Sequence, residues 1–252
     1  MKSALITGAS GGIGRAFAVK LCSQGYHVTG VARSESKLKE FKQSLGDHFN
    51  YIVADLSTPT GQESISQLIS QSHFDLLINN AGVGTVGGFT DISSEKQIAM
   101  LRLNVEALVR FSYAFLKTAK SGDSLINISS ALAFMPTPGM GLYSATKALV
   151  TSFSESLWYE YKSKGIYVMG LCPGITETNF QVAAGGKLED LPKGLSQTPE
   201  TVVDVALAAL KSRCKPTVLT GFKNLLFAGM SRLLPRKNLV NMNGSIMTPP
   251  PH

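Results

Sequence analysis

Tyr143 and Lys147 stand four residues apart in the stretch YSATK (143–147). On a helix this spacing puts both side chains on one face, about one turn from each other. A free phenol titrates near ~10, and a neighbouring ammonium favours its ionised form, so such a pair is a tunable proton donor. The same spacing recurs at Tyr113 and Lys117 in YAFLK (113–117), so the pair alone decides nothing. A serine separates the two. Ser130 precedes Tyr143 by thirteen residues, whereas Met100 holds that place before Tyr113. A seryl and a tyrosyl hydroxyl converging on one carbonyl oxygen would stabilise the charge that develops there. Tyr113 and Lys117 are expected to lie along a helix without chemistry.

Those side chains must be held by a scaffold, and the chain alternates apolar runs with helical stretches. Strands are expected at 3–7, 27–32, 50–54, 75–79, 124–129, 166–171 and 216–220. Helices are expected at 13–24, 36–45, near 61–71, in a long segment ending near Lys120, at 142–163 and at 199–212. Nearly all-apolar strands separated by helices indicate a parallel sheet covered on both faces. Right-handed crossovers make it a doubly wound α/β sheet of the Rossmann type. No repeat or linker divides the chain, so one domain is expected. In such a sheet ligands sit beyond the carboxyl ends of the strands. NNAG (79–82) and NISS (127–130) both end strands there, and a loop carrying Pro136 and Pro138 returns the chain from Ser130 to the helix of Tyr143.

TGASGGIG (7–14) joins the first strand to the first helix. Gly8 permits a tight turn, Gly12 a close approach of pyrophosphate to the backbone, and Gly14 close helix packing. The helix N-terminus then offers free N–H groups to phosphates. No Gly-Lys-Ser/Thr follows, which argues against a phosphoryl-transfer loop. An acidic residue ending the second strand would bind the ribose hydroxyls of NAD; here Ala32 stands in that place and Arg33 follows. A guanidinium can pair with a 2′-phosphate through its planar fork, so NADP(H) is expected over NAD(H). Asp55 could accept a hydrogen bond from an adenine amino group or simply cap its loop. Asn79 and Asn80 could hold turns, and Gly82 lets a ribose approach.

In order and spacing, TGASGGIG, Asp55, NNAG, Asn104, NISS, YSATK and PGITET resemble the short-chain dehydrogenase/reductase family over residues 1 to about 180. The resemblance implies that Tyr143 donates the proton in carbonyl reduction, or takes it in alcohol oxidation. It implies that Lys147 binds the nicotinamide ribose and lowers the tyrosine pKa, that Ser130 holds the substrate carbonyl, and that Asn104 anchors a water in a proton relay. Cofactor contacts are implied at Gly8, Ser10, Gly12, Ile13 and Gly14 in the glycine turn. Further along they are implied at Arg33, Asp55 and Leu56, at Asn80, Ala81 and Gly82, and at Tyr143 and Lys147. The Pro173–Gly174 turn would flank the nicotinamide and Thr178 would bond its carboxamide. Ala133 departs from the glycine that the family often has after the serine pair.

Of the 252 residues, 44% are hydrophobic and 16% charged, a globular composition. The net charge of +7 fits solubility or an anionic partner, and no dense Lys/Arg run suggests nucleic acid. Cys22, Cys172 and Cys214 are widely spaced, so no metal site is expected. The N-terminus is too short in apolar residues for a signal core, and a soluble cytoplasmic location is expected. The irregular stretch 181–197 is expected to form a substrate loop. Residues 221–237 place Phe222, Leu225, Leu226, Met230 and Leu233 at helical spacing, an amphipathic extension. It would pack on the body or on a partner subunit, or form a lid or a basic membrane-surface helix. Residues after about Asn238 are expected to be irregular. Together these readings predict an NADP(H)-dependent oxidoreductase acting on an apolar carbonyl or alcohol such as a 3-oxoacyl group, and the family resemblance implies a homodimer or homotetramer. The alternatives are an NAD-dependent alcohol dehydrogenase and a non-catalytic dinucleotide sensor.

Overall fold

The computed structural model describes residues 1–185 and 196–247. Seven parallel strands form one sheet in the order β3-β2-β1-β4-β5-β6-β7. They are β1 (Ser3–Thr7), β2 (His27–Ala32), β3 (Phe49–Val53), β4 (Leu76–Asn79), β5 (Ser124–Ile128), β6 (Tyr167–Cys172) and β7 (Thr217–Leu219). The sheet reverses direction beside β1, so the carboxyl ends of β1 and β4 flank a crevice.

Side-chain alternation divides the strands' apolar residues between two cores. Ile6, Ile78, Ile126 and Met169 pack under α1 (Gly12–Ser23), α2 (Glu35–Leu45) and α8 (Pro199–Ser212). Leu5, Leu77, Leu125 and Val168 pack under α3 (Pro59–Gln71), α5 (Leu108–Thr118) and α6 (Gly141–Lys162). Fully apolar strands are therefore what a sheet covered on both faces requires. At the amino-terminal edge, Arg213 takes a left-handed conformation (φ 53°) after α8. Its guanidinium donates to the carbonyls of Gly122, Asp123 and Gly165.

The long helix expected before Lys120 is interrupted. It runs as α4 (Ser94–Leu101), widens to π-helical pairing over Arg102–Ala107, and continues as α5. Within the stretch expected as a substrate loop, α7 (Phe180–Ala183) is described and residues 186–195 lie outside the described residues.

The tail differs from expectation. It is two helices, α9 (Phe222–Leu233) and α10 (Arg236–Met247), rather than one helix and an irregular end. Pro235 forces the break, since the residue before a proline is pushed to extended backbone; Leu234 has ψ 138°. α10 forms because Leu239 and Asn243, one turn apart, are both buried, and the Asn243 amide donates to the Pro136 carbonyl at 2.9 Å. The prolines at 249–251 lie outside the described residues. The apolar stripe of α9 faces outward in the single chain, while Ala228 and Ser231 are turned inward. Among the described residues no helix is long and apolar enough to cross a membrane.

Candidate active site

The glycine turn forms an open cradle. Gly8 and Gly12 take left-handed conformations (φ 70° and 52°), costly for residues with a Cβ. A Cβ on Gly14 would run into the Gly8 carbonyl and the Asn80 amide, so α1 packs here only because that atom is missing. The N-terminus of α1 has no side-chain cap and no acid in its first turn, leaving N–H groups for an anion. A Cβ on Gly12 would sit 2.9 Å from the Thr178 methyl, so the loop after β6 arches over this turn. Ser10 and Ile13 belong to the same turn and are half-buried. These residues fit a dinucleotide pyrophosphate: a wide-open donor end, and backbone that nothing larger than glycine could form.

At the next strand ends, Ala32 is buried and Arg33 exposed. Asp55 Oδ1 accepts from the Ser57 amide at 2.9 Å and the Ser57 hydroxyl at 2.6 Å. The Ser57 hydroxyl, then the Ser57 amide and the charge of Arg33, hold the Asp55 carboxyl below its ordinary range. One oxygen of Asp55 thus caps its own loop, the bland role of the two expected for it. Leu56 is buried in the core, so only its backbone can meet a ligand.

At the end of β4, Asn80 donates from its amide to the carbonyls of Thr7 (2.9 Å) and Gly8 (3.2 Å). Thr7 Oγ1 accepts in turn from the Asn80 and Ala81 amides, each at 3.0 Å. Asn79 lies deeper and donates to Ser112 and to Asn127, whose own amide reaches Ser154 on α6. Gly82 faces two site residues: a Cβ there would be 3.2 Å from Asn104 Oδ1 and 3.5 Å from Lys147 Nζ. Asn104 sits in the widened turn with both of its amide hydrogens used. Its Oδ1 accepts from the Val83 N–H at 2.9 Å, and its Nδ2 donates to the Val83 carbonyl at 2.9 Å and to Thr146 Oγ1 at 3.2 Å. Its side chain therefore pins the loop after β4.

Ser130, Tyr143 and Lys147 come together as the spacing required. Ser130 follows β5, and its hydroxyl caps the turn over Ala131–Phe134, accepting from the Leu132 N–H at 3.1 Å, while lying close enough to the Tyr143 hydroxyl to favour its ionised form. Tyr143 and Lys147 project from the first turns of α6 and are both buried. Lys147 Nζ donates to the Ile128 carbonyl at 2.8 Å and stands 5.7 Å from the Tyr143 ring centroid. Burial pushes the Tyr143 hydroxyl up to about 12, with the Ser130 hydroxyl opposing it. Burial likewise brings Lys147 down to about 8. Burial thus sets the direction of the Tyr143 shift in the protein without a bound dinucleotide. One of the three ammonium N–H groups is taken by the Ile128 carbonyl, which leaves two for other acceptors. Tyr113 and Lys117 are both exposed on α5, away from these residues.

Pro173 is buried, and its carbonyl accepts from the Ala131 N–H at 2.8 Å, tying the loop after β6 to the turn after β5. A Cβ on Gly174 would collide with the Asn224 amide from the first turn of α9. Thr178 Oγ1 accepts from the Phe180 N–H at 3.2 Å. The Phe180 ring lies 5.5 Å from that of Tyr143 and against Gly84.

Several contributors were not singled out in the sequence. Ser129 donates to the Lys147 carbonyl at 2.7 Å and pairs with Thr151, fixing α6 against β5. Alternation along NISS was the available signal: adjacent residues face opposite ways, so one serine serves the helix and the other the site. Phe180 and Asn224 carry no local signal, because their partners are far away in sequence. Among the described residues all three cysteines are free, and burial pushes the Cys22 and Cys172 thiols up to about 11, away from nucleophilic use.

Comparison with known proteins agrees with this geometry. The family model for short chain dehydrogenases matches residues 2–188. The 3-oxoacyl-acyl-carrier-protein reductase FabG of Vibrio cholerae is 31% identical over 220 residues, covering 84% of this chain and 90% of that protein. Hydroxysteroid dehydrogenase-like protein 1 of Gallus gallus is 31% identical over 186 residues, covering 70% of this chain; the match spans only 56% of that relative. Among solved structures, a short-chain dehydrogenase from Sphingobium yanoikuyae in complex with NADPH superposes with a TM-score of 0.83 at 29% identity, covering 92% of this chain and 95% of that one.

Proposed function

The chain belongs to the short-chain dehydrogenase family, and on that premise we propose that it is an NADP(H)-dependent reductase of apolar ketones, with 3-oxoacyl groups among its substrates. One observation carries this reading: Ser130 and Tyr143 are buried together beyond the carboxyl ends of the strands, the edge that also carries the glycine cradle, with Lys147 one turn along.

A bound nicotinamide dinucleotide supplies the hydride. Gly8, Ser10, Gly12, Ile13 and Gly14 would hold its pyrophosphate, Arg33 a 2′-phosphate, and Asp55 and Leu56 the adenine side. Asn80, Ala81 and Gly82, with Pro173, Gly174 and Thr178, would hold the nicotinamide half. Ser130 and Tyr143 direct two hydroxyls at the substrate oxygen. The high pKa of Tyr143 keeps it protonated, so it gives its proton from the neutral phenol as charge builds on that oxygen. Lys147 binds ribose hydroxyls next to Gly82. Asn104 acts by holding the Val83 backbone, and with both amide hydrogens committed it could meet a relay water only through a carbonyl oxygen. Apolar neighbours support an apolar substrate: Met100, Met140, Val83, Val86, Leu132 and Phe180 surround Tyr143. The FabG relative at 31% identity supports the 3-oxoacyl class.

The test is a panel of apolar ketones and 3-oxoacyl thioesters, with NADPH and with NADH, followed by absorbance. Turnover with NADPH well above NADH supports the reading. Preference for NADH assigns an NAD-dependent enzyme instead. Dinucleotide binding without turnover on any substrate would mean a sensor.

A further inference from the structure

Phe222, Leu225, Leu226, Met230 and Leu233 recur at steps of three and four along α9 and so share one face. Each is at least half exposed, Leu233 at 86%. The inward side is narrower and mixed: Ala228 and Ser231 are buried, Asn224 and Phe227 are half-buried, and Phe227 is the one large apolar side chain turned that way. The helix therefore docks through one phenylalanine and small or polar residues, and its larger apolar stripe is left as a contiguous strip on the surface.

Charge is segregated into the same region. Residues 205–252 hold seven of the 24 basic residues and none of the 17 acidic ones, so residues 1–204 carry seventeen of each and are neutral overall. The whole net charge of +7 belongs to the segment that contains α9. Lys223 is exposed in its first turn, and Arg236 and Lys237 are exposed just beyond its end.

We propose that α9 is a membrane-surface helix that seats the protein on an anionic bilayer. Its apolar face enters the boundary between headgroups and acyl chains, and the basic residues meet lipid phosphates. Twelve residues make about 18 Å of helix, shorter than the ~30 Å hydrocarbon core, so the helix lies in the interface and does not span it. A second copy is a poorer occupant, because a two-fold contact would press two acid-free segments together. An acidic carrier protein needs the cations but gives no account of five large exposed apolar side chains. The seat also brings the candidate active site near the lipid, since Asn224 in the first turn of α9 touches Gly174.

Co-sedimentation of the full chain with vesicles tests this, using phosphatidylcholine alone and an equal mixture with phosphatidylglycerol. The protein is expected to sediment with the anionic vesicles only and to be released by salt. The Leu226→Asp/Leu233→Asp variant should lose binding. A Lys223→Glu/Arg236→Glu/Lys237→Glu variant should bind at least about tenfold more weakly. Both should keep the parent's thermal melt and NADPH affinity. Failure of the parent to bind anionic vesicles overturns the proposal, as does equal binding by folded variants. So does a parent that binds no lipid but whose oligomer dissociates in Leu226→Asp/Leu233→Asp, or that binds an acidic carrier protein in place of lipid.

Discussion

Lys147 Nζ reaches the Ile128 carbonyl at 2.8 Å, so the ammonium is tied to the end of β5 and lies over the face of the Tyr143 ring. Burial depresses its pKa from 10.5 to about 8, which means that the folded protein resists charging it. The cost is full below pH 8, shrinks as pH rises from 8 to 10.5, and vanishes above, because the unfolded chain binds the extra proton across that window. Lys147→Met should therefore stabilise the fold near pH 6 by about 2 kcal/mol, after allowing for the lost hydrogen bond. The gain should fade through pH 8 to 10.5. Thermal melts across that range check it; a gain independent of pH would show that the charge is not the cause.

Tyr143→Phe should lower turnover by ~10²–10⁴-fold while leaving NADPH affinity close to the parent's, because the lost hydroxyl donates a proton and holds little of the dinucleotide. Tyr113→Phe should leave the chemical step unchanged, since Tyr113 is 69% exposed on α5 against 7% for Tyr143. Single-turnover hydride transfer measured on both variants discriminates. Rapid transfer in Tyr143→Phe would remove the tyrosine from the mechanism.

Arg33→Asp should move the ratio of NADPH to NADH dissociation constants toward NADH by roughly 10- to 100-fold, the worth of a charge-assisted hydrogen bond. The exposed guanidinium and the buried Ala32 beside it motivate this. An unmoved ratio would place 2′-phosphate recognition elsewhere.

Gly174→Ala should destabilise the protein by about 1–3 kcal/mol, because its Cβ meets the Asn224 amide. Asn224→Ala opens that space, although it gives up the 2.7 Å bond to the Thr220 carbonyl. The double variant should recover at least about 1 kcal/mol relative to additivity. Chemical denaturation of the four proteins measures the coupling, and strict additivity would mean that the tail does not press on this loop.

Local patterns made the sheet, the helices on both faces and the glycine turn legible, because apolar runs and a strand-to-helix glycine cluster are written within a few residues. Ser130, Tyr143 and Lys147 were legible because thirteen and four residues bracket one loop and one helical turn. The tyrosine's pKa was not, since it depends on how dry the finished pocket is and on where the lysine points. Asn104 was readable as a position but not in its role: only the widened turn, the Val83 backbone and Thr146 reveal that both its amide hydrogens are consumed. The tail was misread past Asn238. Its proline-rich end suggested irregularity, whereas Leu239 is buried and Asn243 finds its partner at Pro136, more than 100 residues earlier.

The bonds from the Asn80 amide to the Thr7 and Gly8 carbonyls couple events separated in time during synthesis. The glycine turn leaves the ribosome early with all its local code, yet the groups that fix its carbonyls arrive some seventy residues later with β4. In a nascent chain holding only β1–β3 the Val31 carbonyl can already take the Gly8 N–H, but the Thr7 and Gly8 carbonyls lack their Asn80 donor. The finished form of the turn that we propose for the dinucleotide thus draws on the fourth strand, and an amide at its end acts as the clasp.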